Sequence, residues 1–325
     1  MIETGARVRP MRSVALQFVA LAVIWGSSFL FIKVGLEGLS PGQVVLGRLA
    51  SGALALGVVC VATRRSLAFE GVVWAHLAVV AVVLCVVPFL LFAWAEQRVP
   101  SGVASILNAT TPLMTMVVAL AALPQERPTR ARLAGLATGF AGVVLVLSPW
   151  TATGGAASAA HRSSAQLLGD AACLLATLCY GVAFVYLRRV VAPRRLPSLA
   201  VATGQVGLGA LGMLALAPVV AGQPVHLTWR VTTAVLMLGV LGTGLAYVWN
   251  TNVVAAWGAT NASTVTYLTP LVGVVEGAVV LGERVAWNQP AGAVVVVLGI
   301  LVAQERLPAI RRRTPGVAAG RPADA

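Results

Sequence analysis

Long apolar runs separated by short polar gaps set the pattern of this chain from Val14 to Ala303. A helix needs about 20 mostly apolar residues to cross a bilayer. That measure predicts ten spans: Val14–Val34, Gly42–Ala62, Val72–Ala95, Ser101–Leu123, Arg132–Leu147, Leu167–Leu187, Ser198–Val220, Val231–Asn252, Thr260–Leu281 and Ala291–Ala303. The fifth and tenth are the shortest. The expected fold class is an all-α integral membrane protein.

Composition agrees. With 58% hydrophobic and 10% charged residues and a mean hydropathy of +0.89, the 325-residue chain has more apolar side chain than a water-soluble globule could bury. A formal charge of +13 would elsewhere point to nucleic acid. Here the arginines lie in the gaps between apolar runs, where anionic lipid accounts for them, and no nucleic-acid partner is expected. The N-terminal arginines precede a run of full spanning length with no small-residue cleavage site, so the first span is expected to stay in place. Cys60, Cys85, Cys173 and Cys179 all fall inside spans without metal-ligand spacing. They read as packing residues, and no disulfide, metal or cofactor is expected.

Arginine and lysine set the orientation. With a cytoplasmic N-terminus, that side collects Arg7, Arg9 and Arg12, then Arg64 and Arg65, then Arg127, Arg130 and Arg132, then Arg188, Arg189, Arg194 and Arg195, and finally Arg306, Arg311 to Arg313 and Arg321. The opposite side receives Lys33, Arg98, Arg162, Arg230 and Arg284. This bias predicts both termini in the cytoplasm and an even number of spans in the cell inner membrane. Arg48 belongs to neither side, because it lies within the second span.

The chain also repeats itself. A shift of about 157 residues lays "VPSGVASILNATTPLMTMVVALAALPQERPTRARLAGLATGFAG" on "WGATNASTVTYLTPLVGVVEGAVVLGERVAWNQPAGAVVVVLG", with one residue of slippage before the glutamate. Thr111-Pro112 then meets Thr269-Pro270, Glu126-Arg127 meets Glu283-Arg284, and Gly135 and Gly142 meet Gly292 and Gly299. "IWGSSFLFIKV" likewise matches "CYGVAFVYLRR", and Gly47-Arg48 matches Gly204-Gln205. A unit of five helices is odd, so its second copy enters the membrane from the opposite face. The predicted organisation is an N-terminus over 1–13, a first unit over 14–148, a polar linker over 149–166, a second unit over 167–303 and a basic tail over 304–325.

"WGSSFLFIK" in the first span, "LGRLASGAL" in the second, "WAEQRVPSGVASILNATTPL" across the third and fourth and "LGERVAWNQPAGAVVVVLGI" near the end resemble the EamA-type carriers of the drug/metabolite transporter superfamily. The resemblance covers both halves. It implies ten helices in two inverted repeats, a central cavity, and export or import of small metabolites driven by an ion gradient or by exchange. It does not name the solute.

Charge inside a membrane is costly, at least about 2.5–3.5 kcal/mol, and therefore marks candidate sites. Arg48 and Glu276 both lie roughly 8–9 Å below the outer edge at a 1.5 Å rise per residue, so they can pair or share a ligand. Their repeat equivalents are Gln205 and Val118, so the common scaffold needs neither charge. A carboxyl at the depth of Glu276 can carry a proton or hold a cationic substrate; the plain alternative is a snorkelling arginine and a helix-to-helix salt bridge. The family often has arginine at the point occupied by Arg48. Gly26, Ser27 and Ser28 permit close helix contact or present hydroxyls to a wet cavity. Trp25 and its counterpart Tyr180 lie too deep for an interfacial belt and are candidate cavity walls. Lys33 either snorkels or gates. Asn108 and Thr111 beside Pro112, and Tyr267 and Thr269 beside Pro270, mark equivalent points where proline frees a carbonyl for bending or for a ligand. Tyr247, Trp249 and Asn250 rank lower. Glu126 and Glu283 read as caps or loop salt bridges, and Gly135-x-x-x-Gly139 as a packing motif that would serve a homodimer.

The leading expectation is a secondary transporter of a small-molecule substrate. A membrane enzyme lacks support: no HExxH, paired intramembrane aspartates or Ser/His/Asp set is present, and His76, His161 and His226 fall near predicted ends or loops. No Walker-type loop points to ATP. A carrier-derived solute sensor that binds without moving its ligand remains the other reading.

Overall fold

A computed structural model describes residues 11–123, 129–147, 163–262 and 264–304. Among them all regular structure is helical. Eight helices are long and apolar enough to cross a membrane: α1 (Ser13–Gly35), α2 (Pro41–Ala62), α3 (Gly71–Ala95), α4 (Ser101–Ala122), α5 (Arg130–Leu147), α6 (Ser164–Arg194), α7 (Ser198–Val220) and α8 (Trp229–Gly258). Two shorter apolar helices follow, α9 (Val265–Val280) and α10 (Asn288–Ala303). Glu126, most of the 149–166 linker and the basic tail lie outside the described residues.

The ninth helix begins later than its apolar run. Thr260 belongs to a helical stretch continuing from α8 past a kink at Gly258, where φ is +81° and ψ 157°. That left-handed backbone suits glycine and ends the run of α8. Helix α4 breaks where sequence chemistry says it should. Its first part ends at Asn108 and its second starts at Thr111, with Pro112 at the new N-terminus supplying no N–H. The Thr111 hydroxyl donates to the Asn108 carbonyl at 2.7 Å, an acceptor that Pro112 cannot serve, and the Thr110 hydroxyl joins its own amide on the Leu107 carbonyl, also at 2.7 Å. Wider π turns occupy Ala81–Val86 in α3, Leu187–Val191 in α6 and Met237–Leu245 in α8.

Glycine decides the closest helix contacts. A Cβ on Gly142 would lie 2.6 Å from the Val296 amide nitrogen, and one on Gly299 2.4 Å from that of Gly139. Gly135 meets Ala303, so α5 and α10 run antiparallel, backbone on backbone. The face that reads as a dimerisation motif is thus covered by α10 of the same chain, because two glycine-lined stripes there allow closer packing than any side chain would. Two further pairs are antiparallel. Gly42 meets Val220 while Cys60 meets Thr203 between α2 and α7. Ser101 meets Glu283 while Ser105 meets Thr269 between α4 and the segment carrying α9.

Gly299→Ala forces a methyl into rigid backbone and is expected to cost about 1–3 kcal/mol. Gly212→Ala, where a Cβ meets nothing within 4 Å, is expected to be neutral or stabilising by up to about 1 kcal/mol. Thermal unfolding of the detergent-purified variants separates the two.

Candidate functional site

The wide π turn of α8 lies against α2. A Cβ on Gly239 would strike Ser51, and one on Gly52 would come within 3.0 Å of Thr243. This close approach carries Thr243 to Arg48, whose Nε donates to the Thr243 hydroxyl at 3.1 Å. The guanidinium lies over the Phe89 ring of α3, 3.6 Å from its centroid. Tyr180 of α6, Tyr247 of α8 and Cys85 of α3 surround the same group. Arg48, Tyr180 and Tyr247 are enclosed by helices yet keep part of their surface accessible. The two terminal guanidinium nitrogens have no hydrogen-bond partner among the described residues.

Glu276 sits elsewhere in the bundle. Its Oε1 lies 2.7 Å from the Ser27 hydroxyl, which also lies 2.8 Å from the Val23 carbonyl. The Ser27 hydroxyl has one hydrogen, which the Val23 carbonyl and the Glu276 carboxyl oxygen share. Oε2 is buried with no partner among the described residues. Arg48 and Glu276 form no ion pair; Arg230 with Glu37, at 3.1 Å, does so among the described residues. The two charges are linked indirectly. Two residues before Ser27, the Trp25 indole donates to the Gly242 carbonyl at 3.2 Å, beside the Thr243 that holds Arg48.

The other candidates separate. Tyr180 joins the Arg48 group and stacks on Phe92, 6.1 Å between centroids. The Ser28 hydroxyl donates to Ile24 of its own helix at 3.1 Å. Those of Thr111 and Thr269 also serve local carbonyls, Asn108 and Thr266. Asn108 is partly exposed at the break in α4. Tyr267 is drawn to the far end, where its hydroxyl lies 2.6 Å from Gln304. The Pro270 turn is held from outside its helix, because Ser105 donates to the Thr269 carbonyl at 3.1 Å. A groove of about 700 Å³ between α2, α3, α6 and α7, walled by Leu90, Leu91, Trp94 and Leu175, is apolar and separate from these polar groups.

Of the two roles expected of Glu283, cap and loop salt bridge, the structure shows the cap. Its carboxylate accepts from the Ser101 amide at 2.8 Å, the Ser101 hydroxyl at 3.0 Å and the Gly102 amide at 3.2 Å. A negative charge there also meets the positive end of α4. Two residues stand out beyond the sequence reading. Tyr247 faces Arg48 and ranks with the central group. Glu96, in the turn beyond α3, is fully buried.

A bundle of apolar helices enclosing an arginine, a carboxyl and hydroxyls defines a multi-pass membrane protein with an internal polar site. The profile of the EamA-like transporter family matches residues 12–148 and again residues 167–303, so the chain belongs to that family. It is 29% identical over 307 residues to a "Probable terminal-alkyne amino-acid exporter" of Streptantibioticus cattleyicolor, covering 92% of this chain and 96% of that protein. It is 27% identical to an uncharacterized transporter of Archaeoglobus fulgidus, covering 86% and 92%. It is 30% identical over 142 residues to the uncharacterized inner membrane transporter YedA of Escherichia coli, covering 41% and 45%. A solved crystal structure, 18% identical, has the same fold with a TM-score of 0.64 over 93% of this chain and 99% of its own.

Ser27→Ala removes the only partner of Glu276 Oε1 among the described residues and is expected to cost about 1–3 kcal/mol. Ser28→Ala removes a bond within one helix and is expected to cost less than 1 kcal/mol. Melting temperatures of both variants beside the parent test the difference.

Proposed function

We propose that this chain is a secondary carrier that moves a small carboxylate-bearing metabolite of the amino-acid class across the cytoplasmic membrane by alternating access. The observation that carries the reading is Arg48. Thr243 and Phe89 fix its orientation while the two terminal nitrogens stay without a partner among the described residues. A planar fork held in this way suits a carboxylate, which it meets bidentately. Glu276, anchored on one oxygen by Ser27, is the group to receive an ammonium or a proton. The name of the Streptantibioticus relative, an amino-acid exporter, points to the same class.

Two inverted five-helix units, with both termini in the cytoplasm, complete the proposal. The antiparallel pairs α2 with α7, α4 with α9 and α5 with α10 support it, since a two-fold axis in the membrane plane pairs equivalent helices in that way. Pro112 and Pro270 are the proposed hinges. Coupling to protons or to solute exchange passes through Glu276. The motion itself is a rocking of one unit on the other.

The test is ligand binding followed by flux. Amino acids are expected to raise the melting temperature of the parent. Arg48→Gln and Arg48→Lys are both expected to weaken binding about 10–100-fold, a loss of about 1.4–2.7 kcal/mol, because lysine offers no fork. Equal binding by parent and variants overturns the site. Binding without uptake or efflux in proteoliposomes overturns transport in favour of a sensor.

A further inference from the structure

Cys85, Phe89, Phe92 and Glu96 recur at spacings of four, three and four along α3 and its terminal turn, which puts them on one face. Phe89 lies under Arg48 and Phe92 stacks on Tyr180, so Glu96 roofs the central group, about 10 Å above Phe89. It is 0% exposed, and neither carboxylate oxygen has a hydrogen-bond partner among the described residues. An ionised carboxylate in that condition is among the costliest buried groups.

What covers it is a latch. Lys33, at the end of α1, donates from Nζ to the Glu96 carbonyl and to the Val99 carbonyl at 3.1 Å, tying α1 to the turn between α3 and α4. The groups that face the Glu96 carboxyl are Lys33 from α1, Glu283 from the turn between α9 and α10, Arg48 from α2, and Cys173 from α6, which itself faces Asp170. Burial pushes the Glu96 carboxyl well above the usual carboxylate range, while Lys33 draws it down, Glu283 pushes it up and Arg48 draws it down. A metal cage finds few oxygens here. Both Glu283 oxygens hold Ser101 and Gly102, and the Glu96 and Val99 carbonyls hold Lys33.

We propose that Glu96 is a proton-binding site linked to closure of the Lys33 end of the bundle. Closing that end dries the carboxyl and takes up one proton. Opening it breaks the carboxyl O–H bond, passes the proton to water, and leaves the carboxylate beside the Lys33 ammonium. Alkaline solution on that side therefore favours the open form and acid the closed one. Its place in a transport cycle rests on the carrier reading, whereas the protonation does not and is tested without substrate.

The sign follows from linkage. A carboxyl raised in the folded state binds more protons there than in the unfolded chain, so stability falls as pH rises above about 4.3, the ordinary glutamate value. Glu96→Gln mimics the protonated form and lacks this loss. Between pH 5 and 8 its melting temperature is expected to gain on the parent by about 2–4 °C per pH unit until the site has titrated. A gap that does not change with pH overturns the proposal, as does failure of Glu96→Gln to fold. Exchange of potassium for sodium at constant ionic strength is expected to change nothing; sodium stabilisation that is lost in Glu96→Gln means a metal-ion site instead. Cys173, fully buried next to the carboxyl, reports the latch. Its maleimide labelling, read by peptide mass spectrometry, is expected to rise severalfold in Lys33→Met. In the parent it is expected to rise with pH faster than in Glu96→Gln. Labelling unchanged by Lys33→Met, or rising equally in both, overturns the link to closure.

Discussion

Helices in a bilayer gain nothing from hiding apolar surface from one another, since lipid is as apolar as leucine, so contact itself has to hold them together. In this protein contact is made by removing side chains. The glycines of α5 and α10 let two backbones touch, and those of α2 and α8 do the same beside Arg48. The polar site depends on this closeness. Without Gly52 and Gly239 the π turn of α8 would stand away from α2, and Thr243 could not reach the guanidinium. Packing and chemistry share the same few residues here.

The polar groups show how a membrane protein keeps charge inside itself. Arg48 rests on an aromatic face and a hydroxyl, which steady it without neutralising it. Glu276 leans on a serine that is also claimed by its own helix. Glu283 is satisfied in full by two amides and a hydroxyl, and fits a fixed structural part. The three groups thus form a gradation, from fully partnered to partly unpartnered.

Much of this was legible in the sequence, because hydrophobic length and small-residue spacing are local properties. The helices from α1 to α8 and the break before Pro112 follow from them, whereas the glycine face of α5 was visible as a packing surface but not its partner, α10 of the same chain. Arg48 and Glu276 were visible as charges where lipid forbids them. What faces them was not, since Thr243 and Phe89 are 195 and 41 residues from Arg48 along the chain. Glu96 escaped notice for a related reason. One residue past an apolar run, a glutamate looks like ordinary loop polarity, and only the closing of α1, α4 and α6 over it makes it dry. Tyr247 was undervalued because an aromatic near a span's end suggests the interface. The start of α9 was misjudged because the polar stretch from Thr260 to Thr264 leads straight into the apolar run, and hydropathy carries no backbone angle to show that Thr260 belongs to the stretch continuing from α8.

The pairing of α5 with α10 reaches beyond packing. Each of these helices closes one half of the chain, and each spends most of its contact surface on the other. The rest of the bundle touches them lightly, α10 along α4 and α9, and α5 where Leu113 meets Gly139. The pair thereby clasps the last helix of one half of the chain to the last helix of the other, so a side chain added to either glycine face would loosen the two halves from each other.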